Sequence, residues 1–243
     1  MRGKNILITG ASQGIGAETA EYLSGLGANV ILVARNKEKL ESVRNRLTGE
    51  TLVIPCDLTN NDNIEELFHE LQEKGIKLDG MVYCAGIHFI KPLKIMEKND
   101  LEDMFKINVF GFYEMCRYFT RNAVSNKGAS IVGISSYAAL SKETGTSAYS
   151  MTKAAMNVQV QVLAKEFLKR RMRINTVMPA IVKSKIGEAS NDWTEEEIAQ
   201  IKEVQPLGII PIEDVVKTVA FLMSEDARHI TGECIPISSG YRG

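Results

Sequence analysis

The chain has 243 residues, 44% of them hydrophobic and 24% charged, which suits a globular protein with a substantial core and not a disordered or fibrous one. Its 29 basic and 30 acidic residues leave a formal net charge of -1. That balance gives neither the basic footprint of nucleic-acid binding nor an attraction to anionic membranes, so neither is expected as a partner.

No apolar run is long enough to cross a bilayer, and the stretch 6–10 is too short, and too interrupted by Asn and Gly, for a signal peptide. A cytoplasmic location is expected. Cys56, Cys84, Cys116 and Cys234 are scattered without a Cys-x-x-Cys pair, and the three histidines are scattered too. No metal site is expected, and the thiols read as small buried hydrophobes.

Short β-branched runs alternate with longer helical patterns. Residues 5–9 read as a buried first strand, followed by a glycine-rich turn and a helix over 16–27 with Thr19, Ala20, Leu23 and Leu26 on its packing face. A second strand over 30–34 leads to a charged helix over 37–47, and a third over 51–54 ends at Pro55 before a helix over 63–74. Residues 81–84 and 131–134 are the fourth and fifth strands, and 173–177 a sixth that stops at Pro179. Long helices are expected over 100–122 and 148–170, and a last apolar segment covers 234–237. Continuous apolar strands separated by helices indicate a parallel sheet covered on both faces, with the helices as crossovers. The expected fold is a single α/β domain over 1–243, one doubly wound parallel sheet with helices on both faces.

Thr9-Gly10-Ala11-Ser12-Gln13-Gly14-Ile15-Gly16 joins the first strand to the first helix. In that setting Gly10 permits a tight turn, Gly14 lets the backbone approach a pyrophosphate, and Gly16 allows the helix to pack closely on the sheet. The helix N-terminus then offers free N–H groups and a favourable dipole to phosphates. Where an NAD site usually has a carboxylate for the ribose 2′-hydroxyl, this chain has Ala34-Arg35-Asn36. Arg35 can pair with a 2′-phosphate through its planar fork, which favours NADP(H); a solvated arginine opening the next helix would read the same way.

Ser135-Ser136 ends the fifth strand, and Tyr149 and Lys153 follow at an i, i+4 spacing that puts both on one helix face. A tyrosine with its usual pKa near ~10 is a poor acid–base catalyst at neutral pH, and an adjacent ammonium would favour its phenolate. A nearby serine could hydrogen-bond the substrate oxygen as charge develops. Taken singly, each of these three has an ordinary structural explanation.

Together with the glycine turn they resemble the short-chain dehydrogenase/reductase family over nearly the whole chain. Thr9-Gly10-x-x-x-Gly14-Ile15-Gly16 matches its cofactor motif and Tyr149-Ser150-Met151-Thr152-Lys153 its Tyr-x-x-x-Lys motif. Ser136 stands at the family's catalytic serine, Asn108 at its helix asparagine, and Asp57 at its aspartate beside the adenine. The resemblance implies a Rossmann fold in which Tyr149 donates a proton to a carbonyl while hydride leaves the nicotinamide. Lys153 would lower the pKa of Tyr149 and hold the nicotinamide ribose, Ser136 would orient the substrate oxygen, and Asn108 would steady a water in a relay to Lys153. The cofactor would be held by Gly10, Ser12, Gln13, Gly14, Ile15, Gly16, Arg35, Asp57, Leu58, Ala85, Gly86, Tyr149, Lys153, Pro179, Val182 and Ser184.

The chain departs from the family pattern at several places. Tyr83-Cys84-Ala85-Gly86 stands for Asn-Asn-Ala-Gly, so the bracing of the sheet there must differ. Pro179-Ala180 replaces Pro-Gly, Ser184 a threonine, and Ser238-Ser239-Gly240 an Asp-Gly-Gly. Gln13 adds no charge where many NADP(H) members carry a basic residue, so cofactor preference rests on Ala34 and Arg35. Residues 183–203 are expected to form a substrate flap, part of it helical from the capping box at Thr194–Glu197, with Trp193 lining the pocket or stapling the flap. Length and the lack of large insertions make the chain most similar to 3-oxoacyl-thioester reductases. A sugar, polyol or small-ketone reductase, or an idle NADP(H)-binding sensor, are the alternatives. Lys127, Lys142 and Arg170-Arg171 are candidate docking cations. The resemblance also implies a homodimer or homotetramer built on the two long helices, whose Met104, Phe105, Phe112, Met115, Val158 and Val162 serve equally well as core.

Overall fold

In the computed structural model, which describes every residue except 142, 184–192 and 243, the apolar runs form one sheet. The strands are β1 (Asn5–Thr9), β2 (Asn29–Ala34), β3 (Thr51–Pro55), β4 (Leu78–Tyr83), β5 (Ser125–Ile134), β6 (Arg173–Pro179), β7 (Val182–Lys183), β8 (Ile210–Pro211) and β9 (Cys234–Ile237). Seven of them pair in the order β3-β2-β1-β4-β5-β6-β9, every pair parallel, while β7 and β8 form a separate two-stranded ladder. The order reverses between β1 and β4, and the crevice beyond the carboxyl ends of those two strands is where open α/β sheets bind ligands.

Because side chains alternate along a strand, each run feeds two cores. Leu7, Ile31, Met81, Tyr83, Ile131 and Ile174 point to one face; Ile6, Ile8, Val30, Leu32, Val82, Val132 and Val177 point to the other. The first core is closed by α3 (Asn61–Glu73), α5 (Phe112–Phe119) and α7 (Ser147–Phe167), which follow α1 (Gly14–Gly25), α2 (Lys37–Arg44), α4 (Lys98–Phe105) and α6 (Ala138–Ser141) in the chain order. The second is closed by α1, α2 and, after α8 (Glu195–Val204), by α9 (Ile212–Met223). In α7 the buried set Ala148, Thr152, Met156, Val160 and Ala164 recurs every fourth residue, a narrow stripe that fixes the rotation of the helix.

Four readings change. The first helix begins at Gly14 and ends at Gly25, with Gly27 at φ 83 turning the chain out of it. The expected helix 100–122 is α4 and α5 joined by a π-helical stretch, Lys106–Gly111, which carries Asn108. The fifth strand is longer than its apolar core and begins at Ser125. α9 is an addition: its β-branched residues Val215, Val216 and Val219 read poorly as a helix, and packing against the sheet decides the matter. Among the described residues no helix is long and apolar enough to cross a membrane.

Candidate active site

At Gly10 and Gly16 the glycine turn is held by backbone contacts that leave no room for a side chain. Gly10 has φ 62, and a Cβ there would lie 2.8 Å from the Ala85 backbone nitrogen. A Cβ on Gly16 would run into the Gly10 carbonyl oxygen, so this glycine serves contact between helix and turn, where the sequence suggested helix and sheet. Gly14, at φ 56, would meet nothing within 4 Å. Gln13 precedes α1 in an extended conformation, and no side chain caps the helix. An open, uncapped helix N-terminus beside a glycine fits a pyrophosphate. Ser12 is half-buried on the turn, and Gln13 is exposed.

Arg35 is exposed at the end of β2 and makes no ion pair among the described residues. Asp57 follows β3, and its Oδ1 accepts hydrogen bonds from the Thr59 backbone N–H (3.0 Å) and hydroxyl (2.8 Å). Leu58 places its side chain in the core, so only its backbone can face a cofactor. Ser184 lies outside the described residues.

The catalytic group is assembled beyond the ends of β4, β5 and β6. Ser136, Tyr149 and Lys153 line one cleft of about 250 Å³ together with Ile15, Cys84, Gly86, Ile87, His88, Ile134, Ser135, Pro179, Ala180 and Val182. The neighbouring Ser136 side chain favours the phenolate of Tyr149, but burial of Tyr149 is the larger influence and raises its pKa. Ser136 Oγ also accepts from the Ala138 N–H at 3.1 Å. Lys153 is only 4% exposed; its Nζ donates to the Ile134 carbonyl at 2.8 Å and sits 5.7 Å from the centre of the Tyr149 ring. Burial lowers its pKa to about 8. Burial dominates at Tyr149, whose pKa is raised and not lowered as expected, while the Lys153 ammonium lies against the Ile134 carbonyl and the Tyr149 ring.

The bracing around Asn108 explains how the chain dispenses with the usual Asn-Asn pair. The Thr9 hydroxyl accepts from the Cys84 N–H (3.1 Å) and the Ala85 N–H (3.2 Å), tying β1 to β4. The fully buried Tyr83 donates its hydroxyl to the Ile107 carbonyl at 2.6 Å, inside the π-helical stretch, and Gly111 leaves space for that hydroxyl. Asn108 Oδ1 accepts from the Ile87 N–H at 3.0 Å, while Nδ2 donates to the Ile87 carbonyl (2.9 Å) and to Thr152 Oγ1 (3.0 Å). Both amide hydrogens are thereby committed to protein groups, so Asn108 clamps the chain just after Gly86 and leaves only an Oδ1 lone pair for a water. Cys84 is a half-buried thiol on the cleft wall whose pKa desolvation raises to about 12, consistent with packing rather than reactivity.

His88, Thr152 and the Ile134 carbonyl were not singled out from the sequence. Thr152 lies inside the Tyr-x-x-x-Lys motif and His88 two residues past Gly86, spacings that would have drawn attention to both. The capping box at Thr194 and Glu197 is present. Of the candidate docking cations, Lys142 is outside the described residues, and Arg170 is a brace: its guanidinium donates to the Thr120 carbonyl and to Ser125 Oγ (3.0 Å) and O (2.6 Å).

Residues 10–242 match the family model described as enoyl-(acyl carrier protein) reductase. The chain is 33% identical over 241 residues to 3-oxoacyl-acyl-carrier-protein reductase (FabG) of Rickettsia felis, covering 99% of this chain and 97% of that one. It is 32% identical to L-xylulose reductase of Caenorhabditis elegans, covering 98% and 95%. A short-chain type dehydrogenase/reductase from Mycobacterium ulcerans superimposes with TM-score 0.90 at 28% identity (100% and 92% covered), and a dehydrogenase/reductase from Sinorhizobium meliloti with 0.91 at 27% (100% and 96%). With its glycine turn, its Ser136, Tyr149 and Lys153 in one cleft and these likenesses along its length, the chain belongs to the short-chain dehydrogenase/reductase family, an oxidoreductase of carbonyl and alcohol groups similar to the 3-oxoacyl-acyl-carrier-protein reductases.

Proposed function

We propose that the protein reduces a ketone to a secondary alcohol with NADPH, and that a 3-oxoacyl thioester is its substrate. The observation that carries the reaction is the convergence of Ser136, Tyr149 and Lys153 on one cleft that opens beside the glycine turn. Bound NADPH supplies the hydride. Ser136 and Tyr149 hydrogen-bond the substrate oxygen, and Tyr149 transfers its phenolic proton to that oxygen as negative charge develops. Lys153, protonated at neutral pH with a pKa of about 8, stabilises the resulting phenolate and holds the nicotinamide ribose. Asn108 fixes the Ile87 backbone just after Gly86, a stretch that would help hold the nicotinamide. In the oxidative direction Tyr149 is the base.

The preference for NADPH rests on Ala34, which offers no carboxylate to the ribose, and on Arg35, an exposed cation with no protein partner among the described residues. The thioester reading rests on the FabG relative, and the L-xylulose reductase relative keeps a sugar or polyol ketone as the second reading. Assembly as a homodimer or homotetramer through the helices α4, α5 and α7 is favoured by Val158 and Val162, which are exposed, as are Phe110 and Tyr113; Met104, Phe112 and Met115 belong to the core. A cytoplasmic location agrees with reduced thiols throughout.

The test is NADPH oxidation, with NADH in parallel, on acetoacetyl-CoA, L-xylulose and, because the matching family description names enoyl reductases, crotonyl-CoA. Turnover of acetoacetyl-CoA with NADPH supports the proposal. Activity confined to the sugar or to the enoyl thioester overturns the substrate, and equal use of NADH overturns the cofactor preference.

A further inference from the structure

We propose that His88 is a specificity-determining residue that donates a hydrogen bond to a second oxygen of the substrate, so that the protein selects ketones bearing such an acceptor near the reacting carbonyl. The proposal rests on the reductase reading above and names what that site recognises.

Three observations lead to it. His88 lines the same cleft as Ser136, Tyr149 and Lys153, with its ring 5.7 Å from the Tyr149 ring at an interplanar angle of 56°. Its backbone is not free to drift, because the preceding residue, Ile87, has both N–H and carbonyl held by Asn108 at 3.0 and 2.9 Å. Finally, three other polar side chains of the cleft are already engaged by protein: Lys153 by the Ile134 carbonyl, Ser135 by the Lys153 carbonyl, and Ser136 by the Ala138 N–H. The His88 imidazole has no hydrogen-bond or ion-pair partner among the described residues, and it is exposed to the cleft.

An imidazole in that position is satisfied by water until a substrate enters. A neutral imidazole carries one N–H donor, and a ligand that displaces its water without replacing the acceptor leaves that donor unpaired. A site of this kind discriminates by what the wrong ligand lacks, which is a stronger filter than an apolar pocket provides. Beyond His88 the same loop exposes Ile90, Leu93 and Ile95. A 3-oxo ester or thioester, with its second carbonyl close to the ketone, has the matching chemistry; a plain alkyl ketone does not.

The experiment uses a matched pair of ketones, ethyl acetoacetate and 2-hexanone, with the wild type, His88→Leu and His88→Asn. In His88→Leu the ratio of kcat/KM for the two ketones should shift against ethyl acetoacetate by about tenfold, the worth of a typical neutral hydrogen bond. His88→Asn, which restores an N–H donor, should recover most of that ratio, and NADPH affinity should be unchanged in both variants. An equal loss on both ketones, or an asparagine variant no better than the leucine one, overturns the proposal. If the wild type reduces neither these ketones nor acetoacetyl-CoA nor L-xylulose, the reductase reading is what fails. The histidine is then read by nitrogen NMR of ¹⁵N-histidine-labelled protein with NADP⁺ and ethyl acetoacetate. A shift of the His88 ring signals supports the proposal, and unmoved signals at saturating ester overturn it.

Discussion

Replacing Lys153 with methionine should destroy turnover and yet make the cofactor-free protein more stable at neutral pH. The lysine is buried against the end of β5, and burial lowers its pKa from 10.5 to about 8. At about 1.4 kcal/mol for each pH unit, holding that ammonium inside costs the folded state roughly 3 kcal/mol below pH 8. Methionine keeps most of the stem's packing and forfeits the hydrogen bond to the Ile134 carbonyl, worth about 1 kcal/mol. The variant should therefore gain about 2 kcal/mol at pH 7, or roughly 5 °C in Tm for a chain of this size. The sign of the pH dependence follows from the lowered pKa. Between about pH 8 and 10.5 the unfolded lysine holds a proton that the folded one has released, so wild-type stability rises through this window relative to the variant. The gap should close by pH 10. Neighbouring groups do not intrude, because burial raises Cys84 to about 12 and Tyr149 above its usual value. Urea titrations of both proteins without cofactor, from pH 7 to pH 10, measure the gap. A variant less stable at pH 7, or a gap that does not change with pH, would refute the claim that burial of this charge is a cost borne for function.

Tyr149→Phe should reduce kcat at least 1000-fold, a tyrosine proton being the acid, while NADPH titration by fluorescence gives an unchanged Kd; substantial residual turnover would remove Tyr149 from that role. Arg35→Ala should raise KM for NADPH about tenfold, with KM for NADH moving less than twofold, a split read from steady-state kinetics with both cofactors. Tyr83→Phe retains the ring's packing on Phe112 and loses the bond to the Ile107 carbonyl, so stability should fall by about 1–2 kcal/mol, with faster hydrogen exchange in the π-helical stretch 106–111. Exchange unchanged there would mean that the hydroxyl does not hold the turn.

Features that depend on local pattern were legible along the chain. Continuous apolar strands separated by helices specified a doubly wound parallel sheet because only burial on both faces makes such runs favourable. Gly10, Gly14 and Gly16 marked the phosphate turn because a side chain there is excluded by conformation or contact, and Tyr149 and Lys153 marked a helix face because i and i+4 coincide. Tertiary structure alone decided what depends on partners distant in the chain. The π-helical stretch around Asn108 answers a hydroxyl from Tyr83, and the Asn108 carboxamide answers Ile87 and Thr152. α9 is a helix because the sheet face it covers requires one, although its valines point the other way. The protonation of Lys153 and Tyr149 is governed by burial and not by their spacing, since desolvation depends on every element that closes the cleft. His88 is an ordinary residue in the one-dimensional pattern; it becomes a candidate for recognition only because folding sets its unpartnered ring beside Tyr149.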